Sequence, residues 1–279
     1  CTSADVLIEN FRPGVMERLG LGYDPVSRVN PGIVYCSVSG YGQRGPLRDW
    51  PAYDHVVQAV TGMAMMSGDA AQPPVKVGFP VVDTATGMTA TIALLAALLT
   101  RKNGGAGQYI DVSMLDAAAN LMCTQVCASV QNGSTPVRTG NRGFTGSPGC
   151  DTFATADGWI ALGANTPEQF ARLCLILGID EILTDSELFD PDLFRVGARR
   201  GFARARDGLA VRRCLEAAVA TRSADELETT LNEAGVPAAR LRTLSEFAKG
   251  PLQHLAGSVL QLPVMPGYPD GAAALNAGF

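Results

Sequence analysis

Asp83 is the residue of this chain best placed for covalent chemistry. It closes the run Gly78-Phe79-Pro80-Val81-Val82, which reads as β-rich, and the sequence then turns into an apolar, helix-like segment over 88–101. A carboxylate at a strand-to-helix junction sits among backbone N–H groups that the first helical turn leaves unpaired, at the positive end of the helix dipole. Such an anion stays ionised while partly buried, as a carboxylate nucleophile must. Aspartate is also among the best N-cap residues, so this segment alone leaves both a nucleophile and a structural cap open. Other chemistries find little support. The seven cysteines are scattered with no CxxC pair and the chain has two histidines, which gives no zinc site and fits reduced thiols in a cytoplasmic enzyme.

The elements that must position Asp83 follow from patterning. Residues 5–9 form a short buried strand, and Asn10-Phe11-Arg12-Pro13-Gly14 a turn with proline at a helix start. A second strand over 33–39 closes on the glycine-rich Gly40-Tyr41-Gly42-Gln43-Arg44-Gly45-Pro46. Helices are expected over 53–66 and 84–101, a strand over 75–82 between them, a third main strand over 109–114 and one long helix over 115–129. Strand and helix alternate, which predicts α/β with a largely parallel sheet. Residues 131–149 hold five glycines and two prolines and read as a linker. Beyond it, Thr152-Phe153-Ala154-Thr155 and Trp159-Ile160-Ala161-Leu162 flank Ala156-Asp157-Gly158, a β-hairpin pattern. The expected organisation is a large α/β domain over 1–130, a linker over 131–149, a small α+β domain over 150–246 and a return segment over 247–279.

Composition narrows the partners. Charged residues make up 18% of the 279 and apolar ones 47%, too hydrophobic for disorder, and no apolar run is expected to reach bilayer-spanning length. A net charge of −5 argues against a nucleic-acid binder. Neither a membrane nor a nucleic acid is expected as a partner.

Five segments together resemble one family. They are 5–14 (Asp-Val-Leu-Ile-Glu-Asn-Phe-Arg-Pro-Gly), 37–43 (Ser-Val-Ser-Gly-Tyr-Gly-Gln), 53–59 (Tyr-Asp-His-Val-Val-Gln-Ala), the Asp83 segment, and 107–114 (Gly-Gln-Tyr-Ile-Asp-Val-Ser-Met). In this order the chain resembles the class III CoA-transferases, the group of formyl-CoA transferase and the carnitine CoA-transferases. The resemblance implies a Rossmann-like large domain, its N-terminal part missing here, a smaller α+β domain, and an interlocked homodimer. It implies that Asp83 attacks an acyl-CoA thioester and carries covalent intermediates, with acyl-CoA and a free carboxylic acid as substrates and no permanently bound cofactor. It places Asn10, Phe11, Arg12 and Arg18 near coenzyme A, and Tyr53 where the family keeps an active-site aromatic. Backbone N–H groups around Asp83 and the glycine-rich loops are the expected stabilisers of the developing oxyanion. Gly140 to Gly146 reads as a lid or an interdomain linker.

A related branch, the α-methylacyl-CoA racemases, moves a proton with a histidine where this chain has Tyr53. His55 lies two residues on, on another helical face, and the second acid is replaced by Ala164-Asn165-Thr166. These departures favour transfer over racemisation. A non-catalytic incomplete fragment is the other alternative.

Overall fold

The computed structural model describes residues 1–190, 192–194, 201–251, 259–262 and 272–275. The chain divides into two units, residues 1–141 and 142–279.

The first unit is an α/β layer structure on three parallel strands. Strand β1 (Val6–Glu9) is followed by the short helices α1 (Val15–Arg18) and α2 (Tyr23–Val29) and by β2 (Val34–Ser39). Next come α3 (Asp54–Val60), α4 (Val81–Lys102) and β3 (Gln108–Ser113), then α5 (Met114–Leu121) and α6 (Cys123–Asn132). Strand β2 is central, pairing in parallel with β1 (Val6 opposite Val34) and with β3 (Val34 opposite Gln108). Its two faces bury different partners, because successive side chains alternate. Tyr35 joins Met16, Val26 and Ile33 on one side, and Cys36 joins Val112 and Ala90 of α4 on the other. Both faces of β2 are therefore covered, whereas β1, expected as a buried strand, lies at the sheet edge with Ile8 exposed.

Several expectations change in detail. No strand forms over 75–82, because Val81 and Val82 already belong to α4. β-branched residues after a proline read as strand, but Val82 is fully buried against Tyr41, Val57 and Met114 in the helical conformation. The single helix expected over 115–129 is two, broken at Met122 (φ −102, ψ 23). The helix expected over 53–66 ends at Val60 and resumes as one 3-10 turn, Met63–Met65, after Gly62 in the left-handed region. Helix α4 also corrects the membrane expectation. It is long and apolar enough, by length and composition, to cross a bilayer. Its inner face, Val82, Ala85, Thr86, Ala90 and Ala97, is buried within the unit. Its last turn is tied down by Arg101, which donates to the Gly32 carbonyl at 2.9 Å and pairs with Asp5 at 2.7 Å.

In the second unit, β4 (Gly149–Ala154), β5 (Trp159–Ala164) and β6 (Ala238–Arg240) form an antiparallel sheet in that order. The hairpin expected around Asp157-Gly158 is β4–β5. Helices α7 (Pro167–Leu177), α8 (Gly208–Val219) and α9 (Ala224–Glu233) supply Phe170, Leu173, Leu215, Leu227 and Leu231, all fully buried with Phe153 and Ile160. Asp151, buried, pairs with Arg212 of α8. Asp157 accepts the Ala224 N–H at 2.8 Å, so the hairpin turn caps α9, and this bond holds its carboxyl below the ordinary range. Helix α10 (Leu244–Lys249) follows. The expected return segment over 247–279 lies largely outside the described residues. Within it, β7 (Val259–Leu262) and β8 (Ala272–Leu275) pair antiparallel.

Candidate active site

A cavity of about 490 Å³ opens in the first unit beyond the C-terminal ends of the parallel strands, where α/β sheets bind their ligands. Each strand end contributes a piece: Asn10 to Pro13 after β1, Gly40 after β2, and Met114 after β3. Asp83, Thr86 and Gly87 of α4 line it as well, together with Arg48, Trp50 and the stretch Pro51 to Asp54. Five of the six residues expected at the site, Asp83, Asn10, Phe11, Arg12 and Tyr53, thus share one cavity. Arg18 is not among the lining residues. It is exposed on α1, with Nη1 3.2 Å from the point a side chain on Gly14 would occupy.

The turn after β1 is fixed by its own polar groups. Buried Glu9 accepts the Phe11 N–H on Oε2 at 2.8 Å, and Asn10 donates from Nδ2 to the Val38 carbonyl at 2.8 Å. Asn10 is thereby committed to bracing β1 against β2, while the Phe11 ring and the Arg12 side chain stay exposed. Gly14 then starts α1 at φ 82, a left-handed conformation that suits glycine. The loop after β2 is braced in the same way. Gly42 N–H donates to Ser39 Oγ at 3.0 Å and Gln43 N–H to Asp111 Oδ2 at 2.9 Å. Gly40 cannot carry a side chain, because an added Cβ would lie 2.2 Å from Ala52 Cβ.

Asp83 is not the cap of its helix. It is the third residue of α4, and the capping carboxylate is Asp54, the first residue of α3. Asp54 Oδ2 accepts the N–H groups of Val82 and Asp83 at 2.8 and 3.0 Å. Val81 N–H donates to the Phe79 carbonyl and Thr84 N–H to that of Pro80. Pro80, at the cap, has no N–H and the Thr84 bond is the first intrahelical one, so the three donors this helix start leaves open, on Val81, Val82 and Asp83, are all used. The N–H groups expected to stabilise an oxyanion beside Asp83 are therefore engaged by Asp54. Its other oxygen, Oδ1, accepts Gln58 Nε2 at 2.6 Å, and fully buried Gln58 accepts the Val77 N–H at 2.8 Å. Asp54 was not singled out in the sequence, where it reads as an ordinary first-turn acid of α3. Its partners lie some thirty residues on, and no local pattern announces them.

Electrostatics at Asp83 follow from this arrangement. Loss of water around the carboxylate, and then the negative charge of Asp54, push its pKa above the ordinary aspartate value. The expectation of a carboxylate held ionised by free helix-start N–H groups is corrected, since Asp54 has taken them. The Asp83 side chain stays solvent-accessible and free to react. One turn along α4, Gly87 lines the cavity with nothing within 4 Å of the point its Cβ would occupy, so the space beside the carboxylate is open. Tyr53 is 72% exposed and stacks on His55, ring centroids 6.3 Å apart and 8° from parallel. His55 itself is not among the lining residues. Among the described residues, no three His, Cys, Asp or Glu side chains gather as a metal site.

Comparison with known proteins gives a consistent result. The family model described as CoA-transferase family III matches residues 1–271. The chain is 34% identical to acetyl-CoA:oxalate CoA-transferase of Acetobacter aceti, over 95% of this chain and 66% of the relative. It is 32% identical to succinate–glutarate CoA-transferase of Agrobacterium fabrum, over 95% of this chain and 64% of the relative. The chain thus spans slightly less than two thirds of the length of these two relatives. A crystal structure of a CAIB/BAIF family protein from Brucella suis superposes with a TM-score of 0.83 at 27% identity, covering 100% of this chain and 69% of that one.

Proposed function

From membership of CoA-transferase family III, to which this chain belongs, we propose that it moves coenzyme A from an acyl-CoA thioester to a free carboxylic acid through covalent intermediates on Asp83. The single observation that carries this reading is the cavity at the strand ends. There a solvent-accessible carboxylate, Asp83, shares one space with Phe11, Arg12 and Tyr53.

The steps balance without an external reagent. The Asp83 carboxylate attacks the thioester carbonyl, the C–S bond breaks, and CoA thiolate leaves a mixed anhydride. The thiolate attacks the Asp83 carbonyl of that anhydride, the donor acid departs, and an aspartyl-CoA thioester remains. The acceptor carboxylate attacks this thioester, giving a second anhydride and thiolate. Thiolate attack on the acceptor's carbonyl then yields the new acyl-CoA and free Asp83. Phe11 offers a face for the adenine or pantetheine, and Arg12 and Arg18 suit phosphate oxygens. The raised pKa of Asp83 suits the first attack, because a more basic carboxylate is a better nucleophile towards a thioester. Racemisation is the weaker reading, since His55 does not line the cavity that holds Asp83. A homodimer is part of the proposal by family analogy.

The test is mass spectrometry of the chain incubated with a panel of acyl-CoAs, with hydroxylamine or borohydride to trap the activated carboxylate. Modification confined to the peptide holding Asp83 is the expected outcome. A folded chain that binds CoA, shows no adduct, and exchanges an α-proton in deuterated water would overturn it in favour of racemisation.

A pH profile follows from the electrostatics. Asp83 reacts as the carboxylate, and its pKa lies above the ordinary aspartate value. The rate of adduct formation should therefore fall as pH drops through that raised pKa, at higher pH than an unperturbed aspartate would show. Rapid-quench measurement of the trapped adduct against pH checks this. A limb at the ordinary aspartate value would contradict both the loss of water around Asp83 and the influence of Asp54 on it.

A further inference from the structure

Arg48 is the one guanidinium lining the cavity that neither its motif nor its sequence neighbours brought forward. It sits in the segment between Gly45 and Trp50. Backbone bonds from Arg48 N–H to Gly45 and from Trp50 N–H to Leu47 fold that segment. Leu47 packs against the Tyr41–Val57–Met114 cluster, and the Trp50 ring meets Tyr41 edge-on at 6.5 Å. The segment is therefore anchored on both sides of Arg48, and the side chain is aimed rather than free.

Where it is aimed is informative. Arg48 Nη2 lies 3.6 Å, and Arg18 Nη1 3.2 Å, from one point, the missing Cβ of Gly14. Two cations thus converge on the turn that also carries Arg12, in a chain whose net charge is −5. Among the described residues, the side chains of Arg12, Arg18 and Arg48 have no ion pair or hydrogen bond. The Arg48 Nε is moreover buried without a partner. Native proteins rarely leave such donors unmet, and like charges held together repel unless an anion joins them. A group with several oxygens that can bridge two forks is what planar guanidinium pairs recognise.

We propose that Arg48 is a phosphate-binding residue of this site. It grips phosphate oxygens of the nucleotide end of the thioester substrate together with Arg18, across Gly14. The proposal rests on the CoA-transfer reading for the identity of the ligand, and on the arginine geometry alone for its phosphate chemistry. The diphosphate and the ribose 3′-phosphate share that chemistry, and the test separates them.

Two measurements on the full chain decide it. In calorimetry with adenosine 3′,5′-bisphosphate and, separately, ADP, Arg48→Ala is expected to weaken the preferred ligand roughly 10- to 100-fold, and Arg48→Lys to recover part of the loss. The preferred ligand identifies which phosphate is held. In turnover, Arg48→Ala should lose at least about 10-fold more kcat/KM on an acyl-CoA than on the matching acyl-pantetheine thioester, which lacks these phosphates. Equal losses on both thioesters, or unchanged binding of both nucleotides by a variant with parental circular dichroism, would overturn the proposal. Failure of the unsubstituted chain to bind either nucleotide would overturn it too. Failure to form an adduct on Asp83 with nucleotide binding intact would instead count against the transfer reading and leave the phosphate role of Arg48 standing.

Discussion

Asp83→Asn is expected to fold like the parent chain and to form no acyl adduct, with turnover lower by at least about 10³-fold. The fold survives because the side chain of Asp83 does not hold the start of its helix. The donors there go to Asp54 and to the carbonyls of Phe79 and Pro80. Stability should move the other way from activity. The folded chain holds the Asp83 proton more tightly than the unfolded chain does, because of burial and Asp54. Its contribution to stability is therefore fully present below the unfolded pKa and lost as pH rises through the folded one. At neutral pH the ionised group is a cost, and the amide removes it. Melting curves should place Asp83→Asn at or above the parent at neutral pH, with the difference vanishing in strong acid. Asp83→Ala separates cap from nucleophile. A true N-cap would lose about 1 kcal/mol on this change, whereas the geometry here predicts no such loss.

Asp54→Asn is expected to be worse for the fold than its small chemical change suggests. Both carboxylate oxygens accept: Oδ2 from Val82 and Asp83, Oδ1 from Gln58. An asparagine has one carbonyl oxygen, so one side would meet an NH2 group, donor against donor. Gln58 cannot flip to compensate, because its own oxygen already accepts the Val77 N–H. A buried donor left unmet costs about 1–3 kcal/mol, which corresponds to several degrees in Tm. Transfer should fall along with it, and the acid limb of adduct formation should shift towards the ordinary aspartate value as the neighbouring negative charge disappears. Thermal melts and the same trapped-adduct profile read both effects. An unchanged Tm together with an unchanged limb would show that Asp54 neither holds α4 nor acts on Asp83.

The three parallel strands were legible because each is a short β-branched or aromatic run closed by a glycine, asparagine or serine turn. The hairpin around Asp157-Gly158 was legible for the same kind of local reason. Asp83 could be found from its position ahead of a long apolar helix, whereas Asn10, Phe11 and Arg12 were placed at the site by the family resemblance of the segment that contains them. What escaped was everything set by contacts distant in sequence. Val81 and Val82 favour strand by type, and only the packing of Val82 and the Asp54 bonds make them helical. The break at Met122 carries no glycine or proline, and Met122 is instead buried beside Met114 and Ala118. Asp54 and Arg48 look like ordinary surface charges until the fold brings one to the start of α4 and the other to Gly14.

Gly87 gives the cavity its open side, and that opening has an evolutionary consequence. Glycine within a helix is less stable than alanine by roughly 0.5–1 kcal/mol, and nothing in the first unit obstructs a methyl group there. Gly87→Ala is thus an easy gain for any search that rewards thermal robustness alone, and it would place bulk beside the reactive carboxylate. In a lineage selected for heat resistance without selection for turnover, this position is open to a change that sheds activity while raising stability.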